Sequence, residues 1–140
     1  MTGSGGDNGC PWTLDVRGTG LSSVPAVRVW AAGLLGSLSA DRRLDVLLVL
    51  DELVTNAHAH TLGPTWVRLT EQPRPCLVVV EADDLSHGWP VVRARGGTAP
   101  HGRGMQLVDR LADEWGVHDN LDGKTVWARL GWSGEGVRRR

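Results

Sequence analysis

Glu52, Asn56 and His60 stand four residues apart in a stretch whose apolar positions repeat at helical spacing. Their side chains therefore leave one face of a helix, each one turn above the last. Within Asp51-Glu52-Leu53-Val54-Thr55-Asn56-Ala57, the apolar Val54 and Ala57 turn away from that face. A carboxylate and an amide oxygen one turn apart suit two tasks. The Asn56 oxygen can ligate Mg²⁺, a hard ion that takes oxygen donors and keeps several waters. Glu52 can hold a water or a hydroxyl and accept its proton. The same spacing also describes the solvated polar face of an amphipathic helix.

A second feature is Val78-Val79-Val80-Glu81-Ala82-Asp83-Asp84, an apolar run that ends in acid. Asp83 can accept a hydrogen bond from an exocyclic amine and so recognise adenine. Equally, Asp83 and Asp84 can simply open a loop, where Asp is favoured by local backbone bonding. The third is His101-Gly102-Arg103-Gly104-Met105-Gln106-Leu107-Val108. Two glycines let backbone approach a phosphate, a new helix aims free N–H groups at the anion, and Arg103 adds charge. An ordinary loop end before a core helix reads the same way. The Rossmann and Walker patterns are absent, and no G-x-S-x-G surrounds a serine. His58 and His60 point in different directions on a helix, and no cysteine cluster accompanies the five histidines, which argues against structural zinc.

Several elements must position these groups. Residues 12–17 alternate apolar and polar side chains, as a half-buried strand does. Ser22 or Ser23 caps a helix with Pro25 in its first turn and Val27, Trp30, Ala31 and Leu34 inward, ending near Gly36. Ser39 caps a longer helix to about His60, with Leu44, Leu47, Leu50, Val54 and Ala57 facing the sheet and Gly63-Pro64 ending it. Residues 66–70 and 77–82 form a hairpin, the second strand buried on both faces. Residues 84–101 show no period and read as a long functional loop. A third helix over 104–114 turns Met105, Leu107, Val108 and Leu111 inward, and strands 115–118 and 125–130 close around Asp122-Gly123.

The pattern predicts an α+β two-layer sandwich, a mostly antiparallel mixed sheet with three helices on one face. Residues 1–11 read as a disordered leader, 12–131 as the domain and 132–140 as a basic flexible tail. At 140 residues, with 41% hydrophobic and 22% charged side chains, one core suffices. Apolar runs are too short to span a bilayer, and no export signal is visible, so a cytoplasmic, membrane-free protein is expected. A net charge of −1 without a basic stripe argues against nucleic acid as a direct partner. Cys10 and Cys76 lack CxxC neighbours and read as incidental thiols.

The order of these features is specific. A Glu-x-x-x-Asn helix, a strand ending in Asp, an irregular loop and a Gly-x-Gly before a helix resemble the GHKL ATPase superfamily. The nearer resemblance is to stand-alone bacterial anti-sigma-factor serine/threonine kinases. It is carried by the Asp51–Ala57 stretch with His60, by the Gly102–Val108 stretch, and by Gly123-Lys124-Thr125-Val126-Trp127. The resemblance implies a histidine-kinase-like ATPase fold that binds ATP and Mg²⁺. It implies Asn56 as magnesium ligand and Glu52 as the base acting on a protein serine. Asp83 would bind the adenine amine with help from Thr125. Gly102, Arg103, Gly104 and Met105 would complete the nucleotide site, residues 85–101 forming the lid. Partners would be a sigma factor and a small anti-anti-sigma protein of STAS type, and members commonly form homodimers. One departure stands out. The superfamily's Asp-x-Gly becomes Asp83-Asp84-Leu85 here, so the lid is expected to leave the strand differently.

Overall fold

Apolar residues alternate with polar ones along most of the strands, giving each one face to bury. The computed structural model describes residues 3–4, 11–72, 76–87 and 100–132, with the backbone alone at 3–4 and 100–104. In chain order the strands are β1 (Gly3–Ser4), β2 (Trp12–Asp15), β3 (Pro64–Gln72), β4 (Cys76–Asp84), β5 (Glu114–Asp119) and β6 (Lys124–Trp132). The helices are α1 (Val24–Leu34), preceded by a 3-10 turn, α2 (Ala40–His60) and α3 (Pro100–Leu111). The sheet runs β1-β2-β3-β4-β6-β5.

Every pairing in it is antiparallel, which bears out the expected mostly antiparallel sheet and leaves no parallel pair among the described residues. The register shows why. β4 and β5 do run the same way, as a crossover through one helix requires. β6, however, is inserted between them and pairs antiparallel with both.

The helices cover one face. Val67 and Leu69 of β3, Val78, Val80 and Ala82 of β4, and Val126, Ala128 and Leu130 of β6 meet Val27 and Ala31, Val46, Val49, Leu50, Leu53 and Val54, and Met105 and Val108 in one core. The other face carries Trp66, Arg68, Glu81, Asp83, Thr125 and Trp127, only partly buried or, at Thr125, covered by its neighbours. β4 is therefore not buried on both faces. Its odd-numbered residues are half-covered by cross-strand side chains, which its valine run does not reveal.

Ser39 caps α2 as expected, its side chain accepting from the Arg42 N–H at 3.3 Å. Leu50, Val54 and Ala57 turn inward as read in the sequence, but the rest of the stripe differs. Leu44 is 55% exposed, while Val46, Val49 and Leu53 take the core. At the far end the Thr61 hydroxyl donates to the Ala57 carbonyl at 2.6 Å, and Gly63, at φ +106°, turns the chain into β3. α3 begins four residues before the predicted start. Pro100 suits a first turn, and the helix ends at Leu111 because the Asp113 N–H is drawn to the Arg129 carbonyl at 2.8 Å, joining the sheet. In the segment expected to be a loose leader, Gly3–Ser4 pairs with Thr13 and Leu14, and the remaining residues of 1–10 lie outside the described residues, as do 133–140.

Candidate functional site

α2 lies against both α1 and α3, and its side chains sort accordingly. Asp51 faces α1, where Arg28 donates to its carboxylate at 2.7 and 2.9 Å. Asn56, five residues on, is rotated by roughly 140° at ~100° per residue, so it looks away from α1 toward α3. Asn56 is 9% exposed, and its Oδ1 is buried with no hydrogen-bond partner among the described residues. A buried acceptor left unpaired is costly, so the Asn56 oxygen is a candidate ligand position. Glu52, one turn earlier, is half-buried, and that burial, helped by the neighbouring Asp51 charge, raises its carboxyl above the ordinary range. His60 is exposed at the end of the same stripe.

The end of β4 corrects the sequence reading. Val78, Val80, Ala82 and Asp84 share the covered face, so Asp83 points to the opposite side of the sheet. There the Arg68 guanidinium grips Asp83 at 2.6 and 2.5 Å, and the Thr125 hydroxyl donates to it at 2.5 Å. Arg68 is held still more firmly protonated by that carboxylate. The Asn120 amide donates to Thr125 at 3.0 Å. Asp83 and Thr125 are thus parts of an outer-face network and are not brought to the α2 side.

Asp84 and Lys124 are. They face each other across the β4–β6 ladder, and the Lys124 Nζ lies 3.0 Å from Asp84 Oδ1. Their side chains are 2% and 5% exposed. The Ser86 N–H and hydroxyl both donate to the same Oδ1 at 2.9 Å, and Lys124 reaches the Ser86 Oγ at 2.9 Å. Asp84, Ser86 and Lys124 thus form one buried cluster at the exit of β4. Strand parity separates Asp84 from Asp83 once the structure shows Val78 and Val80 on the covered face.

These pieces meet at one end of the sandwich. α2 finishes there, since β3 starts at Pro64 opposite Asp84. β6 starts there at Lys124, and α3 runs back from it toward the start of β5. Gly123 packs against the exit of β4 so closely that an added Cβ would lie 1.9 Å from the Asp84 carbonyl oxygen. Gly102, Arg103 and Gly104 fall in the first turns of α3 rather than in a turn before it. The glycines expected to wrap phosphates thus lie at a helix N-terminus, whose free N–H groups suit an anion. The Arg103 side chain, and Arg93, Arg95 and the rest of 88–99 in the predicted lid, lie outside the described residues. Met105 is fully buried in the core.

A family model described as a histidine kinase-like ATPase domain matches residues 19–130. The chain belongs to this family. No curated protein matches it. The family fold is the one seen here, and such domains bind ATP, typically with Mg²⁺. The residues fit that ion. Among the described residues no three His, Cys, Asp or Glu side chains converge, and Asn56 Oδ1 is an oxygen that could serve such an ion, with phosphates and water supplying the rest of the shell. Mg²⁺ accepts that mode of binding. Among the described residues no helix is long and apolar enough to cross a membrane.

Proposed function

We propose that this protein is an anti-sigma factor that binds ATP and phosphorylates a serine or threonine of a STAS-type anti-anti-sigma protein in the cytoplasm. The observation that carries the reading is the pairing of Asn56 and Glu52: a buried oxygen without a partner among the described residues, one turn from a carboxyl raised by burial. Asn56 would hold Mg²⁺, which neutralises phosphate charge. Glu52 takes the proton of the attacking hydroxyl, and its raised pKa makes it a better acceptor near neutral pH. Asp84, in place of Asp83, accepts from the adenine amine, and the first turns of α3 face the phosphates. Phosphoryl transfer needs little more of a protein than such positioning and charge compensation.

Calorimetry of ATP with Mg²⁺ on the wild type and on Asn56→Ala tests the site. The expected result is magnesium-dependent binding that weakens at least about tenfold in the variant, the worth of a charge-assisted contact. Magnesium-dependent binding unchanged by Asn56→Ala would remove that residue from the site. A second reading, a regulatory binder that transfers no phosphate, is separated by Glu52→Gln. Phosphorylation of the anti-anti-sigma partner should be lost with ATP binding retained.

A further inference from the structure

We infer that two copies of this chain associate through the outer face of α1 and the seam it shares with α2, about a two-fold axis beside Arg28, Val29 and Asp51. The inference is independent of the nucleotide reading, because Asn56 lies on the other flank of α2, toward α3.

A helix on the surface of a sandwich ordinarily carries charged and polar residues on the side away from the core. α1 does not. Its sequence, Val-Pro-Ala-Val-Arg-Val-Trp-Ala-Ala-Gly-Leu, holds a single charge, Arg28. Val27 and Ala31 fill the core, and Val29, roughly 200° from Val27 at ~100° per residue, stands 73% exposed on the opposite side. Ala26 and Gly33, one turn before and after Val29, are exposed too, and a Cβ added at Gly33 would meet nothing. α2 continues this surface. Leu44 and Asp51, two turns apart, share the stripe beside α1, and Leu44 is also exposed. An apolar surface spread over two neighbouring helices is the kind that another protein covers.

Two properties select a second copy as that protein. The first is the order of side-chain size along α1, which is small, large, small at Ala26, Val29 and Gly33. It reads the same from either end, as an isologous contact requires of a patch that must fit itself. With the two helices antiparallel, Val29 meets Val29 at the axis and Ala26 of each copy lies over Gly33 of the other, which lets the helices approach closely. The second property is charge. Arg28 Nε and Nη2 both donate to Asp51 Oδ2, so Arg28 Nη1 and Asp51 Oδ1 are left without a hydrogen bond among the described residues. The Arg28 side chain is 49% exposed. Across the axis each Arg28 reaches the Asp51 of the other copy, and the contact occurs twice. A patch with one base beside one acid complements itself, whereas a partner of single-signed charge meets one attraction and one repulsion.

The test is sedimentation equilibrium of the full chain and three variants, each checked for folding by circular dichroism. The wild type should dimerise with a dissociation constant on the order of micromolar, since the patch is at the small end of specific interfaces. Val29→Glu brings two carboxylates together at the axis and should weaken association at least about 100-fold. It should leave the monomer folded, because the side chain it replaces is exposed. Arg28→Glu and Asp51→Lys should each be monomeric alone, every contact across the axis then joining like charges. Mixed together they should pair, because the new acid of one faces the new base of the other and the native Asp51 faces the native Arg28. An ion pair that served only to join α1 to α2 within one chain would not restore association on mixing. A wild type that stays monomeric well above micromolar concentration overturns the inference, as does a folded Val29→Glu that dimerises like the wild type. Charge variants that remain apart when mixed overturn the two-fold arrangement about Arg28 and Asp51.

Discussion

The Glu52 carboxyl sits between two influences that push it the same way, its half-buried position first and the charge of Asp51 second. Its proton is therefore held to higher pH than an exposed glutamate's, whose ordinary value is 4.5. A base must be ionised to act, so phosphate transfer should rise with pH through that raised value and then level off. Asp51→Asn removes the smaller influence, and the rising limb should move to lower pH. A rate–pH profile of both proteins checks this, and an unmoved limb would exclude Glu52 as the titrating base. At Lys124 the prediction concerns stability. Removing one partner of a buried ion pair leaves a charge uncompensated, so Lys124→Met should cost about 3–5 kcal/mol in urea unfolding. Asp84→Asn with Lys124→Met should cost clearly less than the two single changes summed, because the charge and its partner leave together.

At the level of elements the most constrained point is the contact between the β5–β6 turn and the exit of β4. Any side chain at Gly123 would overlap backbone atoms of Asp84 and Leu85, which cannot yield as a flexible side chain does. Gly123→Ala should therefore cost more than about 1 kcal/mol, beyond the ordinary backbone effect of replacing a glycine. It should also displace Asp84, so nucleotide affinity is expected to fall with stability; a variant with wild-type thermal midpoint and affinity would show that the two segments do not bear on each other. The sequence made much of this legible. The Ser39 cap, the 21-residue span of α2 and the Asp122-Gly123 turn all announce themselves through local chemistry. So did the Glu52–Asn56 stripe, because helical spacing fixes which residues share a face. What stayed hidden depended on distant partners. The three successive valines of β4 gave no local indication of which face is covered, and the choice between Asp83 and Asp84 turned on that parity. Two glycines spoke against helix at 102–104, yet the packing of Met105 and Val108 extends α3 through them. Nor does any local pattern tell that Arg68, fifteen residues before Asp83, will engage its carboxylate.

The whole molecule is a two-layer sandwich whose bare sheet face is paved with polar and aromatic pairs. Arg17 lies 4.9 Å over the Trp66 ring, Arg68 bridges Glu81 and Asp83, and His118 stacks on Trp127. Such a surface suits contact with water better than a row of aliphatic side chains would. The pH response of the fold has two opposed contributions. His58 in α2 has its Nε2 buried without a partner among the described residues, and burial lowers its pKa from the ordinary 6.5. The unfolded chain then takes up this proton first, so stability falls as pH drops below about 6.5 toward the lowered value. Glu52 acts in the other sense: its raised pKa stabilises the fold at low pH, and this is lost as pH rises from 4.5 through the raised value. His58→Gln should flatten the decline on the acid side of neutrality in thermal unfolding. An identical decline in the variant would assign it to other groups.

The Asn56 oxygen, without a partner among the described residues, also bears on how long the molecule survives in a cell. A group held away from water with nothing bound to it makes the empty fold weaker than the occupied one. A ligand present at a hundredfold excess over its dissociation constant adds about 2.7 kcal/mol. Proteases act on the opened chain, whose population falls by that same factor. Nucleotide supply would therefore set the turnover of this protein as well as its occupancy, and starvation would thin its numbers before any partner had been consulted.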